Sequence, residues 1–493
     1  MKKMILLLLV IAVGAAFVSA KDLETYERKA MFVFPVQYGD FDRDLCSPAR
    51  QEYVAAQMNK MFVKEFQRFD FFNVSADKPV EAFLADADAY VRENARDIAA
   101  SRMEADGKFK EAMVTLDDLL KTLENSYALV PVVEDINEER EVIEGYKYTA
   151  HLRFDIYSTK TKEIVRVLKA DNATSLMGML MSGLGNLQAG SGDDEGLSDL
   201  EKERENQFRG CIAGIMTVMK KKMRSVPEFQ IKAVASTVTA GSIGFDMGKD
   251  TGIVMDQRYK AYTFDAEGNR KMTAFAKIRK IDQSYSEAQV LIGRSEEGDQ
   301  IVEDPKLGVN IYAGMGFAPY KFEEADEELV KGQHLAFLVG AEYNLAQFIN
   351  ISEFYLAVNA RFSSPKFETI GGDDWNDYYA ISVSTVDAGF LKKFYLSRFA
   401  ITAGIYGTYS SFSMTDEADD PWDEIKGSSL GLTLRGGAEM LITPELYAFG
   451  NVTLDMVGTP SEWDIDGETS TVYENIEVNP SGAGLTFGIG YSF

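Results

Sequence analysis

The final residues constrain the fold more than any other feature. From Ala483 the odd positions are Ala483, Leu485, Phe487, Ile489, Tyr491 and Phe493, and the even positions are Gly482, Gly484, Thr486, Gly488, Gly490 and Ser492. Successive side chains of a strand point to opposite faces, so this strand carries one apolar face and one small, polar face. Such a strand suits lipid on one side and a packed interior on the other.

The alternation recurs upstream. Leu307 to Phe317, Leu335 to Tyr343, Phe354 to Phe362, Phe399 to Ile405, Leu430 to Met440 and Leu446 to Met456 each set an apolar series against a polar or small one. A further strand near Tyr379 to Phe390 changes phase around Thr385, which reads as a β-bulge. Long segments near 319–333, 364–377, 411–428 and 457–481 alternate with tight turns near 346–351, 391–395 and 443–445. Eight strands with one-sided long loops describe an antiparallel transmembrane β-barrel over residues 306–493. A β-sandwich in water would also alternate, but it would put polar residues on its outer faces.

The ending on Phe493, with Tyr491 two residues before it, resembles the carboxyl-terminal sorting signal of bacterial outer-membrane barrels. The whole segment resembles small eight-stranded outer-membrane barrels of the OmpX kind. That resemblance implies outer-membrane lipid and the outer-membrane insertion machinery as partners. It also implies short turns in the periplasm and long loops outside the cell.

Eight strands leave a lumen just wide enough for side chains. The inward set comprises Glu342, Glu353, Glu439 and Asp455 with Arg361, Arg398 and Arg435. Buried charges persist when paired, so these residues are expected to plug the lumen rather than line a conduit.

At the other end, Lys2 and Lys3 precede an apolar run from Met4 to Val18, and Val18-Ser19-Ala20 supplies small residues for cleavage. Residues 1–20 therefore read as a signal peptide. A chain of 493 residues should form more than one domain. Its net charge of −26 argues against binding nucleic acid or anionic lipid by charge alone, and −18 of it falls in residues 307–493, where 27 acids face 9 bases. Cys46 and Cys211 are the only cysteines. One bridge or two buried thiols are equally compatible with them.

Residues 21–225 read as an α/β domain. Ala30 to Val36 is a strand, and Ser47-Pro48 caps a helix presenting Val54, Met58, Phe62 and Phe66 on one face. Phe69 to Val74 is a strand, residues 80–125 are mostly helical, and Leu129 to Val133 is a buried strand. Tyr146 to Tyr157 and Glu163 to Ala170 form a hairpin. Residues 176–198 read as a loop before a helix at 199–224. This order, with Arg68-Phe69-Asp70-Phe71-Phe72-Asn73-Val74 and the hairpin turning at Thr159-Lys160-Thr161-Lys162-Glu163, resembles the periplasmic domain of the CsgG curli-secretion family and TolB-amino-terminal-like modules. The resemblance implies envelope assembly or secretion through protein contacts. The lipid-anchoring cysteine of that family is missing here.

Residues 226–305 form a small all-β unit, with strands at Gln230 to Ser236, Gln257 to Phe264, Lys271 to Ile281 and Glu287 to Ile292. Its ending, Glu297-Gly298-Asp299-Gln300-Ile301-Val302, resembles small β-barrel modules of flagellar-assembly periplasmic proteins. It reads as a spacer between the α/β domain and the membrane.

Signals for chemistry are sparse. His151 and His334 lie far apart in the chain, which supports neither a zinc site nor a catalytic triad. Lys220-Lys221-Lys222 reads as a solvated helix face, and Lys249-Asp250-Thr251-Gly252 as a turn. No catalytic, cofactor or metal residue is assigned. The three tryptophans, Trp375, Trp422 and Trp463, each sit beside acids in expected surface loops. With Asp464 and Asp466 they are candidate ligand-binding residues, although tryptophan also anchors barrels at the interface. The expected protein is a non-enzymatic outer-membrane anchor for a periplasmic interaction module with an unknown protein partner. The alternative is a surface receptor or adhesin using its acidic, Trp-bearing loops.

Overall fold

The computed structural model describes residues 25–41, 43–64, 68–74, 79–100, 115–141, 145–171, 198–265, 267–324, 327–365, 379–416, 424–460, 463–465, 468–470 and 476–493. Three sheets organise them: a mixed sheet between helices, a curled seven-stranded antiparallel sheet and a closed antiparallel barrel.

The first sheet contains β1 (Lys29–Val33), β2 (Gln37–Tyr38), β3 (Phe69–Asn73), β4 (Ser126–Glu141), β5 (Gly145–Ser158) and β6 (Ile164–Asp171). Its order is β3-β1-β4-β5-β6, with β2 on β4, and β1 runs parallel to both neighbours. Strand β1 is apolar on both faces because helices cover both. Met31 and Val33 join the core under α1 (Pro48–Lys64) and α5 (Asp199–Arg224). Ala30 and Phe32 join the core under α2 (Val80–Ala85), α3 (Ala87–Ala100) and α4 (Leu116–Leu123). Ser198 caps α5 in a reciprocal box with Glu201. Cys46 and Cys211 are both buried thiols of the first core, with no disulfide between them. Phe66 and most of the expected 176–198 loop lie outside the described residues.

The middle sheet has β7 (Lys232–Val234), β8 (Thr237–Val238), β9 (Ser242–Phe245), β10 (Arg258–Phe264), β11 (Arg270–Ile281), β12 (Ser286–Gly293) and β13 (Gln300–Glu303). It is ordered β7-β13-β10-β11-β12-β9-β8 around Ile243, Phe245, Tyr259 and Ile278. Gly252 ends the expected turn with φ 77°, a left-handed conformation that glycine adopts without strain.

The barrel comprises β14 (Val309–Glu324), β15 (Glu327–Asn344), β16 (Phe354–Ser363), β17 (Tyr379–Leu396), β18 (Phe399–Asp416), β19 (Glu424–Leu441), β20 (Leu446–Val457) and, after three short strands β21 (Trp463–Ile465), β22 (Glu468–Ser470) and β23 (Ile476–Asn479), the closing strand β24 (Gly482–Ser492). Strand β24 pairs with both β14 and β20, and β18 pairs with β19, so no barrel strand is left as an edge.

Three expectations need correction. Strand β17 keeps one register from Tyr379 to Leu396 against β18, so there is no bulge at Thr385. The apparent change of phase arises where the strand rises past its apolar outer surface: Ile381 and Val383 are buried while Ser382 is exposed. The turn expected at 391–395 lies at Ser397 and Arg398, and Ser397 takes φ 57° there. Segments 319–333 and 411–428, expected as loops, are largely strand, extending two hairpins well beyond the apolar zone.

Candidate functional site: the filled lumen and the junction below it

The outer wall defines where the barrel sits. Paired outward residues Leu396, Phe399 and Met440 mark one limit of an exposed apolar zone, and Val386, Tyr409 and Leu430 mark the other. At the next outward level the register places Ser384, Ser411 and Ser428 side by side, and beyond them Ser382, Ser413 and Lys426. The eleven positions from Val386 to Leu396 rise about 33 Å along the strand, or about 25 Å once tilted by about 40°. That height matches the apolar belt of a membrane barrel. Leu, Phe and Ile in that number on an outer surface would be unstable in water, so the barrel spans a membrane. Among the described residues no helix is long and apolar enough to cross one.

Inside, charged residues form two layers. Arg361 meets Asp455 through two contacts at 2.7 and 3.0 Å, and Arg435 lies 3.5 Å from Asp387. Thr408 and Thr433 donate to Asp387 and Asp455 at 3.0 and 2.6 Å. Nearer the short turns, Lys393 Nζ lies 2.7 Å from Glu342 and 2.8 Å from Glu439. Asn310 donates to Glu342 at 3.0 Å, and Arg435 donates to Asn359 at 3.0 Å. The aromatic rings of Tyr312, Tyr447 and Phe449 fill the remaining width. Two lumen cavities of about 20 and 10 Å³ have room for a water molecule or two and nothing larger.

Of the residues expected in the lumen, Glu342, Arg361, Arg435, Glu439 and Asp455 lie there, buried. Arg398 does not: it is exposed in the turn, because β18 begins only at Phe399 and alternation of faces does not extend into the turn before it. Lys393 occupies the cationic role instead, and Asp387, also missed, is fully buried. Lys393 had fallen in the expected turn; neighbouring outward Phe394 and Leu396 carry the parity that identifies it.

Glu353 is buried and accepts from Tyr355 of β16 at 2.5 Å, but its cationic partners come from another domain. It stands in the turn before β16 with φ 51°. Lys277 and Arg279 of β11 reach it at 2.9 and 2.7 Å. Asp256 joins the cluster through Arg279, through Ser352 at 2.8 Å and through Asn344 at 3.0 Å. The other short turns are held too. Arg258 donates to the Pro444 carbonyl at 2.8 Å and Lys260 to Glu445 at 3.0 Å; at the third turn Ser397 donates to the Leu291 carbonyl at 3.4 Å, and just before it Gln289 donates to the Tyr395 carbonyl at 3.0 Å. Phe275 and Leu291 pack into the apolar floor of the lumen with Leu338 and Leu441. The middle domain thus caps the barrel mouth as well as spacing it from the α/β domain. One step further, Arg68 and Glu303, neither exposed at all, pair at 2.6 Å and tie the α/β domain to the middle one.

Beside this junction lies a cavity of about 390 Å³ lined by all three domains. Lys220 and Lys221 belong to its wall and are half-buried, so of the basic run only Lys222 is an exposed face, and it bonds the Lys169 carbonyl. Tyr491 faces outward, its ring 4.9 Å from that of Phe493, and Phe493 borders the cavity. Trp375, Trp422 and Asp466 lie outside the described residues. Trp463 and Asp464 belong to β21, whose backbone pairs with β19.

These features define a plugged, membrane-spanning barrel of eight strands that carries two further domains at its short-turn end. No family model matches the chain, and no curated protein matches it. Among solved structures, neisserial surface protein A is similar at 13% identity, covering 38% of this chain and 97% of that one, with a TM-score of 0.26. Ail, the attachment invasion locus protein of Yersinia pestis, is similar at 10% identity over 37% of this chain and 98% of that one, TM-score 0.24. The outer-membrane protein OprG of Pseudomonas aeruginosa follows at 11% identity over 38% and 95%, TM-score 0.28. The membrane-spanning character of the barrel rests on its own wall and closure.

Proposed function

We propose that this protein is a non-enzymatic outer-membrane anchor that presents its α/β domain to a protein partner in envelope assembly or secretion. In this reading the short turns and residues 21–305 lie in the periplasm and the long hairpins lie outside the cell. The carrying observation is that the middle domain grips all three short turns over a filled lumen. A barrel built this way is suited to hold a domain in a fixed pose rather than to pass solutes. The order of the α/β elements, which resembles the CsgG and TolB-amino-terminal modules, favours an assembly partner. Among the described residues β6 is an edge strand that leaves Ile164 and Val167 exposed, and an open strand edge is a ready site for another chain.

Site-specific photocrosslinking in intact cells tests this. A crosslinker at Ile164 should trap a periplasmic assembly or secretion component, and one at Lys426 should trap none. Crosslinks confined to Lys426 and an extracellular ligand would reverse the assignment.

A further inference from the structure

The junction cavity has a chemistry unlike the rest of the chain. Seven of its lining side chains are basic and three acidic, a local +4 in a protein of net charge −26. The three acids are already engaged. Glu303 pairs with Arg68, Asp304 with Arg258 at 2.9 Å and Lys260 at 3.1 Å, and Asp256 with Arg279. Lys306 reaches Glu445 only at 3.7 Å, and among the described residues Lys221 makes no ion pair. Burial, reinforced by the Lys306 charge, lowers the Lys221 pKa. Burial also lowers that of Lys306, with Arg258 and Lys260 adding to the effect against Asp304. The anion that acts on both half-buried ammonium groups, Asp304, is already paired with Arg258 and Lys260, so Lys221 and Lys306 share it with two other cations.

Apolar side chains line the cavity as well. Met61, Met216 and Phe348 contribute to the lining. Phe348 continues into Ile349 and Ile351, all exposed, in the segment α6 (Ala346–Ile349) and its flank at the barrel rim. That rim adjoins the membrane surface, because outward Phe399 and Met440 begin the apolar zone at the same end of the barrel.

We propose that this cavity holds the phosphate-bearing headgroup of an anionic phospholipid from the leaflet on the short-turn side, with its acyl chains over Phe348, Ile349 and Ile351. Its volume falls within the range of small-ligand sites. The phosphate lies among Lys60, Lys221 and Lys306, so one lipid contacts the α/β domain, the linker into the barrel and the rim together. This inference rests on the barrel spanning a membrane and is independent of any protein partner.

The test uses the full-length protein, purified in a neutral detergent and titrated with dihexanoyl phosphatidylglycerol, dihexanoyl phosphatidylcholine or inorganic phosphate. Native mass spectrometry reads the bound ligand, and heat-modifiability on gels verifies that the barrel is folded. Phosphatidylglycerol should bind at least tenfold more tightly than phosphatidylcholine. The double variant Lys221→Gln/Lys306→Gln should lose at least tenfold of that affinity while staying folded, and Lys222→Gln should change it little. Equal binding of the two lipids, or no loss in the double variant, overturns the proposal. Phosphate binding as tightly as phosphatidylglycerol also overturns it, since the site would then take a free anion. None of these failures bears on photocrosslinking from Ile164.

Discussion

Glu353, in a short turn of the barrel, accepts Lys277 from the middle domain at 2.9 Å in a fully enclosed setting. This contact and the Arg279 contact beside it make the barrel and the middle domain one electrostatic unit. Removing one partner of a buried pair strands the other charge at a cost of about 3–5 kcal/mol. Glu353→Ala should therefore release the middle domain while the barrel stays folded. Faster proteolysis within Arg270–Ile281, with unchanged heat-modifiability, is the expected result.

The same cluster sets a pH response. Burial opposes the Glu353 charge, but Lys277 and Arg279 outweigh it and hold the carboxyl well below the usual carboxylate range. A carboxyl with a depressed folded pKa stabilises above its unfolded pKa, about 4.3, and loses that contribution only as pH falls through the folded value. Asp256 acts oppositely, because burial and then the Glu353 charge raise its pKa against Arg279. Docking should hold from about pH 8 to about pH 5 and weaken only in stronger acid. Hydrogen exchange of β11 reads this, and undocking near neutral pH would contradict it.

Lys393 bridges two buried carboxylates. Lys393→Met should destabilise the barrel by about 3–5 kcal/mol in urea unfolding, because Glu342 and Glu439 are left facing each other. Arg398→Met, in the exposed turn, should change stability by less than about 0.5 kcal/mol.

The outer wall makes a depth-dependent prediction. Ile405→Lys, in the middle of the apolar zone, should cost about 2–4 kcal/mol, and Ser411→Lys, at its serine border, about 0–1 kcal/mol. Equal costs at the two sites would contradict the position of the zone.

Much of this architecture was legible in the chain, and the failures share a cause. Alternation names a strand's faces wherever one face meets lipid and the other a lumen, as in Leu485, Phe487 and Ile489 against Thr486 and Gly488. It misleads where that contrast ends. Past Val386 the outward positions become serine, so β17 seemed to bulge at Thr385 when only its surroundings had changed. At the opposite end, parity carried through the Ser397–Arg398 turn placed the wrong cation inside. Glu353 and the Lys220–Lys221 pair owe their settings to residues more than 70 positions away or to other domains, and spacing along the chain carries no trace of such partners.

Conduction follows from the filled lumen. Reconstituted protein should show no steady channel in planar bilayers, whereas stable nanosiemens steps would mean that the Arg361–Asp455 and Lys393–Glu342 layers part readily.

The proposed anchor holds its α/β domain on the periplasmic side of the membrane, with the long hairpins on the outside. Labelling single cysteines with a membrane-impermeant maleimide tests it most directly, since native Cys46 and Cys211 are buried. In intact cells Lys426→Cys, on a long hairpin, should label fully. Val167→Cys, on edge strand β6, should label only after the outer membrane is permeabilised. Labelling of Val167→Cys in intact cells, with Lys426→Cys protected, would contradict the account.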